Sequence, residues 1–139
     1  MPEVHGITFR ELHGWKYELL LPYLAVLPEA LWSEGRSFET EYLHLQGRDV
    51  LIKARYAWDG ASGPTRDTTS AMRPSLVHDA LCQLLRLRAL PASAEPAVDA
   101  WFHTLLLADG MDRFRAWYWS VAVRWWPTAK KERDDHADS

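Results

Sequence analysis

The chain has 139 residues, of which 47% are hydrophobic and 25% are charged, a composition typical of one folded domain with its own core. The net charge of −3 argues against a dedicated nucleic-acid-binding protein, and the single cysteine, Cys82, excludes an intramolecular disulfide. The first residues lack a basic segment followed by an apolar run, so we expect no signal peptide, and no apolar stretch is long enough to span a bilayer.

The first half of the chain carries alternating patterns typical of β-strands. Phe38–Leu45 and Asp49–Trp58 alternate between the two faces of a strand, and Gln46–Arg48 between them indicates a hairpin turn. Weaker strand patterns come earlier, at Ile7–Leu12 and Trp15–Leu21. Together these segments predict a small antiparallel sheet.

The second half of the chain carries helical patterns. Apolar positions at helical spacing predict three helices, over Arg73–Arg86 with Pro74 in the first turn, from an N-cap at Ser93 to Gly110, and over Asp112–Trp126. The expected fold class is therefore α+β, with the antiparallel β-sheet of the N-terminal half followed by three α-helices. We expect a single domain over residues 1–127 and a charged, solvated tail over residues 128–139.

The chemically richest stretch lies on the first two predicted helices and the loop before them. Because the connection between these helices is short, they should pack antiparallel, with His78 and Asp99 at similar heights. A neutral His78 that bonds Asp99 through one ring nitrogen could take a proton from water through the other. Asp99 would fix the tautomer of His78 and stabilise the imidazolium that forms.

A second group of oxygen donors surrounds this pair. Asp79 follows His78 directly, and Asp59 and Gly60 lie in a Gly/Pro-rich loop that leads towards the same helix. Carboxylates and backbone carbonyls are hard donors that suit calcium or magnesium. Asp59, the carbonyl of Gly60 and Asp79 could hold such an ion, which would stabilise a developing oxyanion on a substrate carbonyl. This is a minimal set for metal-assisted hydrolysis.

Each of these residues also has a plainer interpretation. An Asp-Gly pair beside Ser-Gly-Pro is most often only a turn, and a single histidine on an amphipathic helix is most often a core residue. His103 could instead bind zinc together with His78 and an aspartate. Cys82 lies four residues after His78 and could be a thiol nucleophile, although packing as a small apolar side chain is the commoner role.

The whole chain resembles a phage and prophage family known as domain of unknown function 1353. The shared pattern is D-G-A-S-x-P at Asp59–Pro64, H-D-A-L at His78–Leu81 and an Asp-containing helix at Asp99–Phe102. The resemblance implies a phage origin, with the protein in the bacterial host cytoplasm or incorporated into the virion. The alternative to catalysis is then a virion protein, in the tail or capsid, that serves structure or assembly and binds other phage proteins.

Residues 58–103 are also similar to the prokaryotic secreted phospholipase A2 pattern of a calcium loop, a His-Asp helix and a later Asp-x-x-Phe helix. The similarity implies hydrolysis of a lipid ester, with calcium held by Asp59, Gly60 and Asp79 and a base, His78, oriented by Asp99. It also implies the antiparallel helix pair of that enzyme. Ala61 replaces the loop cysteine of the pattern, so the disulfide between the loop and the helix is absent, and Cys82 replaces a tyrosine.

The third predicted helix is rich in aromatic residues on both sides. One side gathers Phe114, Trp117, Tyr118, Val121 and Trp125, and the opposite side gathers Trp119, Val123 and Trp126. One face can pack on the domain, and the other needs a cover from the N-terminal strands, another protein chain or a membrane interface. We expect the fold itself to supply that cover. If Trp119 and Trp126 are exposed instead, they would bind another phage protein or a membrane surface.

Overall fold

The structure is a computed structural model that describes residues 3–12, 16–32, 35–59 and 69–125. Within these ranges two antiparallel sheets of four strands precede three helices, which confirms the α+β fold class. The first sheet has the order β1-β2-β3-β8, formed by Glu3–Val4, Ile7–Glu11, Lys16–Leu19 and Ala57–Asp59. The second has the order β4-β7-β6-β5, formed by Tyr23–Val26, Asp49–Ile52, Leu43–Gln46 and Ser37–Glu39.

The single predicted strand Phe38–Leu45 is wrong, because the chain turns sharply inside it. The Thr40 hydroxyl accepts the backbone N–H of Leu43 at 3.0 Å, which closes a tight turn between β5 and β6. The predicted hairpin at Gln46–Arg48 is confirmed, since Gln46 pairs with Asp49 across β6 and β7. Its turn has Gly47 at a φ of 60°, a conformation that glycine adopts without steric cost.

The predicted strand Asp49–Trp58 is also two strands, and they belong to different sheets. The chain leaves β7 after Ile52 and enters β8 at Ala57, through a turn in which Arg55 has a φ of 80°. The apolar alternation continues through this corner, because Tyr56 and Trp58 are buried just as Val50 and Ile52 are. The corner brings the end of β8, at Asp59, beside the helices.

The helices are α1 (Thr69–Arg86), α2 (Glu95–Ala108) and α3 (Arg113–Trp125). The predicted start of the first helix is wrong, since α1 begins one turn earlier and encloses Pro74. The missing proline N–H costs one backbone hydrogen bond, and burial of the Pro74 ring offsets that loss. Ser93 is not an N-cap, because it lies inside a short 3-10 turn, Ala92–Ala94, and Ala94 precedes α2 without a side-chain cap.

α1 and α2 pack antiparallel, as predicted. Arg73 near the start of α1 contacts Asp109 at the end of α2, whereas His78 further along α1 contacts Asp99 near the start of α2. The main core lies between the sheets and this helix pair, and its fully buried residues include Ile7, Leu19, Leu43, Leu45, Ile52, Leu76, Leu81 and Leu84. A smaller cluster joins the three helices through Ala71, Phe102, Leu106, Met111, Ala116 and Trp119.

Candidate active site

His78 and Asp99 face each other across the α1–α2 interface. Nε2 of His78 lies 3.0 Å from Oδ1 of Asp99, which confirms the predicted hydrogen-bond distance between these side chains. His78 is 6% exposed, and the side chain of Asp99 is 17% exposed. The ring of Phe102, one turn after Asp99 on α2, lies with its centroid 4.9 Å from that of His78. The imidazole is therefore held by a carboxylate at one nitrogen and by an aromatic ring at its side.

The end of β8 meets α1 beside this pair. The indole N–H of Trp58 donates to the hydroxyl of Ser75 at 3.1 Å, and the backbone N–H of Asp59 donates to Oδ2 of Asp79 at 3.2 Å. These two bonds pin the strand to the helix one turn before and one residue after His78. As a result Asp59 and Asp79, which are 20 residues apart in sequence, are neighbours in the fold.

Asp79 is 6% exposed, so its carboxylate is withdrawn from water. A buried carboxylate needs hydrogen bonds or a cation to offset its lost hydration, and the N–H of Asp59 supplies one such bond. Two of the three residues proposed for calcium, Asp59 and Asp79, are thus in contact through a backbone N–H, while Gly60, the third, lies outside the described residues. Within the described ranges no three His, Cys, Asp or Glu side chains converge on a metal position. Calcium binding by Asp59, Gly60 and Asp79 therefore stays a prediction.

The described residues do not form the zinc site that was considered as an alternative. His78, His103 and the aspartates Asp59, Asp79 and Asp99 are all described, and no three of them form a group that could hold a metal ion. His103 is half-buried on α2, four residues after Asp99.

Cys82 lies against the histidine ring. Its Sγ is 3.6 Å from Nδ1 of His78 and 3.7 Å from Nε2. Because the lone-pair directions of the two ring nitrogens diverge, an atom almost equidistant from both is aligned with neither. The sulfur therefore packs on the ring rather than sharing a linear hydrogen bond with it, which favours the packing role over that of an activated thiol nucleophile.

Asp99 borders a surface depression. A shallow depression of about 450 Å³ is lined by Ala92, Glu95, Pro96 and Asp99, at the start of α2 and the 3-10 turn before it. Asp99 lines this depression, whereas Asp59, His78 and Asp79 do not. The side chains that border this opening are acidic or small. Asp99 is partly exposed because it faces the opening.

A second buried ion pair, which the sequence analysis missed, fixes the other end of the helix pair. Nε of Arg73 donates to Oδ2 of Asp109 at 2.9 Å, and a second guanidinium N–H donates to Oδ1 of the same carboxylate. Burial alone would lower the pKa of Arg73, but hydrogen bonds to Asp109 and Tyr23 raise it overall. His5 Nδ1 lies 3.9 Å from the same carboxylate. The one available sequence signal was an arginine near the start of the first helix and an aspartate at the end of the second, which meet when the two helices pack antiparallel.

α3 buries the face that could have been exposed. Trp119 is 7% exposed and packs in the small cluster, so the fold covers it, as the sequence analysis expected. Binding of a partner through this helix stays a prediction. Trp126 lies outside the described residues. The opposite face of α3 is the open one, with Phe114 76%, Trp117 57% and Tyr118 44% exposed. Both faces are aromatic in sequence, so periodicity alone gave no preference between them.

Comparisons with known proteins add no assignment. No family model, no curated protein and no solved structure matches the chain. In the described part of the chain, no helix combines the length and apolar character needed to cross a membrane.

Proposed function

We propose that the protein is a calcium-dependent hydrolase of a lipid ester bond, with a site of the phospholipase A2 kind. The observation that carries the proposal is the 3.0 Å contact between His78 Nε2 and Asp99 Oδ1, beside the Asp59–Asp79 contact. The His78 imidazole, the Asp99 and Asp79 carboxylates and the backbone N–H of Asp59 lie at one junction of β8, α1 and α2. In the proposal His78 is the base, Asp99 its orienting carboxylate, and Asp59 and Asp79 are oxygen donors. The resemblance of residues 58–103 to the phospholipase A2 pattern supports the same assignment.

The hydrogen bond to Asp99 selects the histidine tautomer. Because an ionised carboxylate only accepts, the proposed mechanism places the hydrogen on Nε2, and Nδ1 is the nitrogen that would exchange a proton with water. In the proposed step a water oxygen attacks the ester carbonyl carbon while its proton passes to Nδ1. Asp99 stabilises the imidazolium, which then returns the proton to the departing alkoxide as the carbon–oxygen bond breaks.

Asp59, Gly60 and Asp79 are the residues that would hold the calcium ion. A bound calcium would supply positive charge at the carbonyl oxygen, where negative charge develops during attack. The contribution of this chain is to bring the Asp79 carboxylate and the end of β8 together beside the base. We further propose a phage origin and residence in the bacterial host cytoplasm or in the virion, which rest on the family resemblance alone.

The test measures fatty-acid release from a short-chain, water-soluble phosphatidylcholine, with calcium and with a chelator. His78→Gln should lower the rate by about 10²–10⁴, because that is the usual contribution of a positioned general base. His103→Gln is the matched control, since this histidine lies on the adjacent helix outside the pair, and it should keep the wild-type rate. Circular dichroism would verify that both variants are folded.

Two results would overturn the proposal. One is the absence of calcium-dependent release by the wild-type protein. The other is equal rates for the wild type and folded His78→Gln. Either result would leave the non-catalytic alternative, in which the His78–Asp99 bond only joins two helices of a virion or assembly protein.

A further inference from the structure

The outer face of α3, defined by Phe114, Trp117 and Tyr118, is the most exposed aromatic surface among the described residues. The exposed fractions are 76%, 57% and 44%, and the rings of Phe114 and Trp117 contact each other with centroids 6.2 Å apart. A folded domain rarely exposes adjacent large aromatic side chains without a ligand for them. This face is distinct from the His78 site, since the buried face of α3 lies between them.

The helix is held firmly enough to present this face. Asp112 accepts the backbone N–H of Arg115 at 2.9 Å, which caps the first turn of α3. On the inner side, Ala116, Trp119 and Ser120 are buried against the rest of the domain. The exposed rings are therefore carried by a docked helix and not by a loop.

The charge of the helix points to the kind of partner. From Arg113 to Trp125 the sequence has arginine at 113, 115 and 124 and has no Asp or Glu, although the chain as a whole has a net charge of −3. Arg113 is exposed and Arg115 half-buried, next to the aromatic rings. The α3 outer face thus combines tryptophan, tyrosine and arginine, the side chains favoured at the level of lipid headgroups.

We propose that the α3 outer face binds the surface of an anionic lipid bilayer, with the helix lying in the plane of the headgroups. The rings are exposed on the outer side of a docked helix, so they can enter a soft interface without needing a matching pocket in a partner. The arginines would lie against lipid phosphates. The choice of a lipid partner rests in part on the proposed lipid-ester hydrolysis, and it adds the surface through which the protein would reach its substrate.

The experiment is vesicle flotation in the presence of a calcium chelator. The probes are vesicles of phosphatidylcholine alone and vesicles of equal parts phosphatidylcholine and phosphatidylglycerol. The wild-type protein should bind the mixed vesicles better. Phe114→Ser combined with Trp117→Ser should weaken that binding about a hundredfold, since burying one large apolar side chain corresponds to roughly tenfold or more in a partition constant.

Two further variants make the result specific. Arg113→Gln combined with Arg115→Gln should weaken binding to the mixed vesicles about twenty-five-fold and leave binding to phosphatidylcholine unchanged, because each arginine contributes roughly fivefold at an anionic surface. Leu24→Ser combined with Val26→Ser is the matched control. These two residues on β4 are each 51% exposed, and their loss should not affect flotation.

Three results would overturn the inference: no flotation of the wild type with mixed vesicles, equal flotation of the wild type and the folded Phe114/Trp117 variant, or a wild-type dimer that this variant converts to monomers without any vesicle binding. The last would identify the face as a contact between copies of the chain. Vesicle binding is measured without calcium, and hydrolysis is measured on a water-soluble ester. Failure of the lipid surface is therefore distinguishable from failure of the proposed hydrolysis.

Discussion

The α1–α2 junction and the α3 helix differ in which side chains they withdraw from water. At the junction, polar groups are withdrawn from water and each is met by a partner from another element, as with His78 and Asp99 or Arg73 and Asp109. On α3, aromatic groups are left in water on one face while the same residue types are buried on the other. On α3, residue type does not tell which face packs on the domain and which stays open, whereas at the junction the pairing of buried polar groups marks the candidate site.

The largest stability difference is expected between the two faces of α3. Trp119→Ala should lower the free energy of unfolding by about 3–5 kcal/mol, because it leaves a cavity in the small helix cluster. Trp117→Ala on the same helix should change it by no more than about 0.5 kcal/mol, since that side chain is largely exposed. Urea denaturation of the two variants measures both values. Similar losses for the two would mean that the faces are wrongly assigned.

The ion pair at the far end of the junction should come next. Arg73→Ala should cost about 3 kcal/mol, because it leaves the buried Asp109 carboxylate without its bidentate partner. Arg10→Ala is the matched control, since its bond to Glu18 at 2.7 Å is on the surface and should be worth less than about 1 kcal/mol. If both variants lost the same small amount in urea denaturation, the Arg73 pair would be no more than a surface pair.

Calcium should have a smaller and adjustable effect. If Asp59 and Asp79 hold the ion, calcium at a hundred times its dissociation constant should add about 2.7 kcal/mol of stability, because only the native state binds it. Differential scanning calorimetry should show a rise in Tm for the wild type and none for a variant combining Asp59→Asn with Asp79→Asn. Asp49→Asn, on β7, should retain the rise. An equal rise in all three proteins would place the ion elsewhere.

The smallest effect is expected at Cys82. Because its sulfur is aligned with neither ring nitrogen of His78, Cys82→Ala should leave the rate of ester hydrolysis close to that of the wild type. A thiol nucleophile would behave differently, since its removal would abolish turnover. A loss comparable to that of His78→Gln in the fatty-acid release assay would make Cys82 the reacting group.

The sequence predicted the features that depend on short-range patterns and short connections. The short connection after α1 was enough to predict an antiparallel pair and the contact of His78 with Asp99. The start of α1 was predicted wrongly from Pro74, because the sequence does not show that burial of this proline offsets the hydrogen bond lost inside the helix. The number of sheets was beyond the sequence, because the apolar alternation runs unbroken through the corner at Arg55.

The contacts that were missed depend on where whole elements end. Arg73 meets Asp109 because α2 ends at Ala108, which places the carboxylate of the next residue beside the start of α1. Which face of α3 is exposed depends on which of its residues pack against α2. Trp119 lies in one buried cluster with Phe102 and Leu106 of α2. Neither outcome leaves a periodic signal in the sequence.

The most direct test of the central claim is a double-mutant cycle on the rate of ester hydrolysis, with His78→Gln, Asp99→Asn and the two combined. Groups that act as one unit give strongly non-additive losses. The proposed mechanism predicts that each single variant loses most of the rate and that the combined variant is no slower than His78→Gln alone. A folded His78→Gln or Asp99→Asn protein that hydrolyses the ester at the wild-type rate would contradict it.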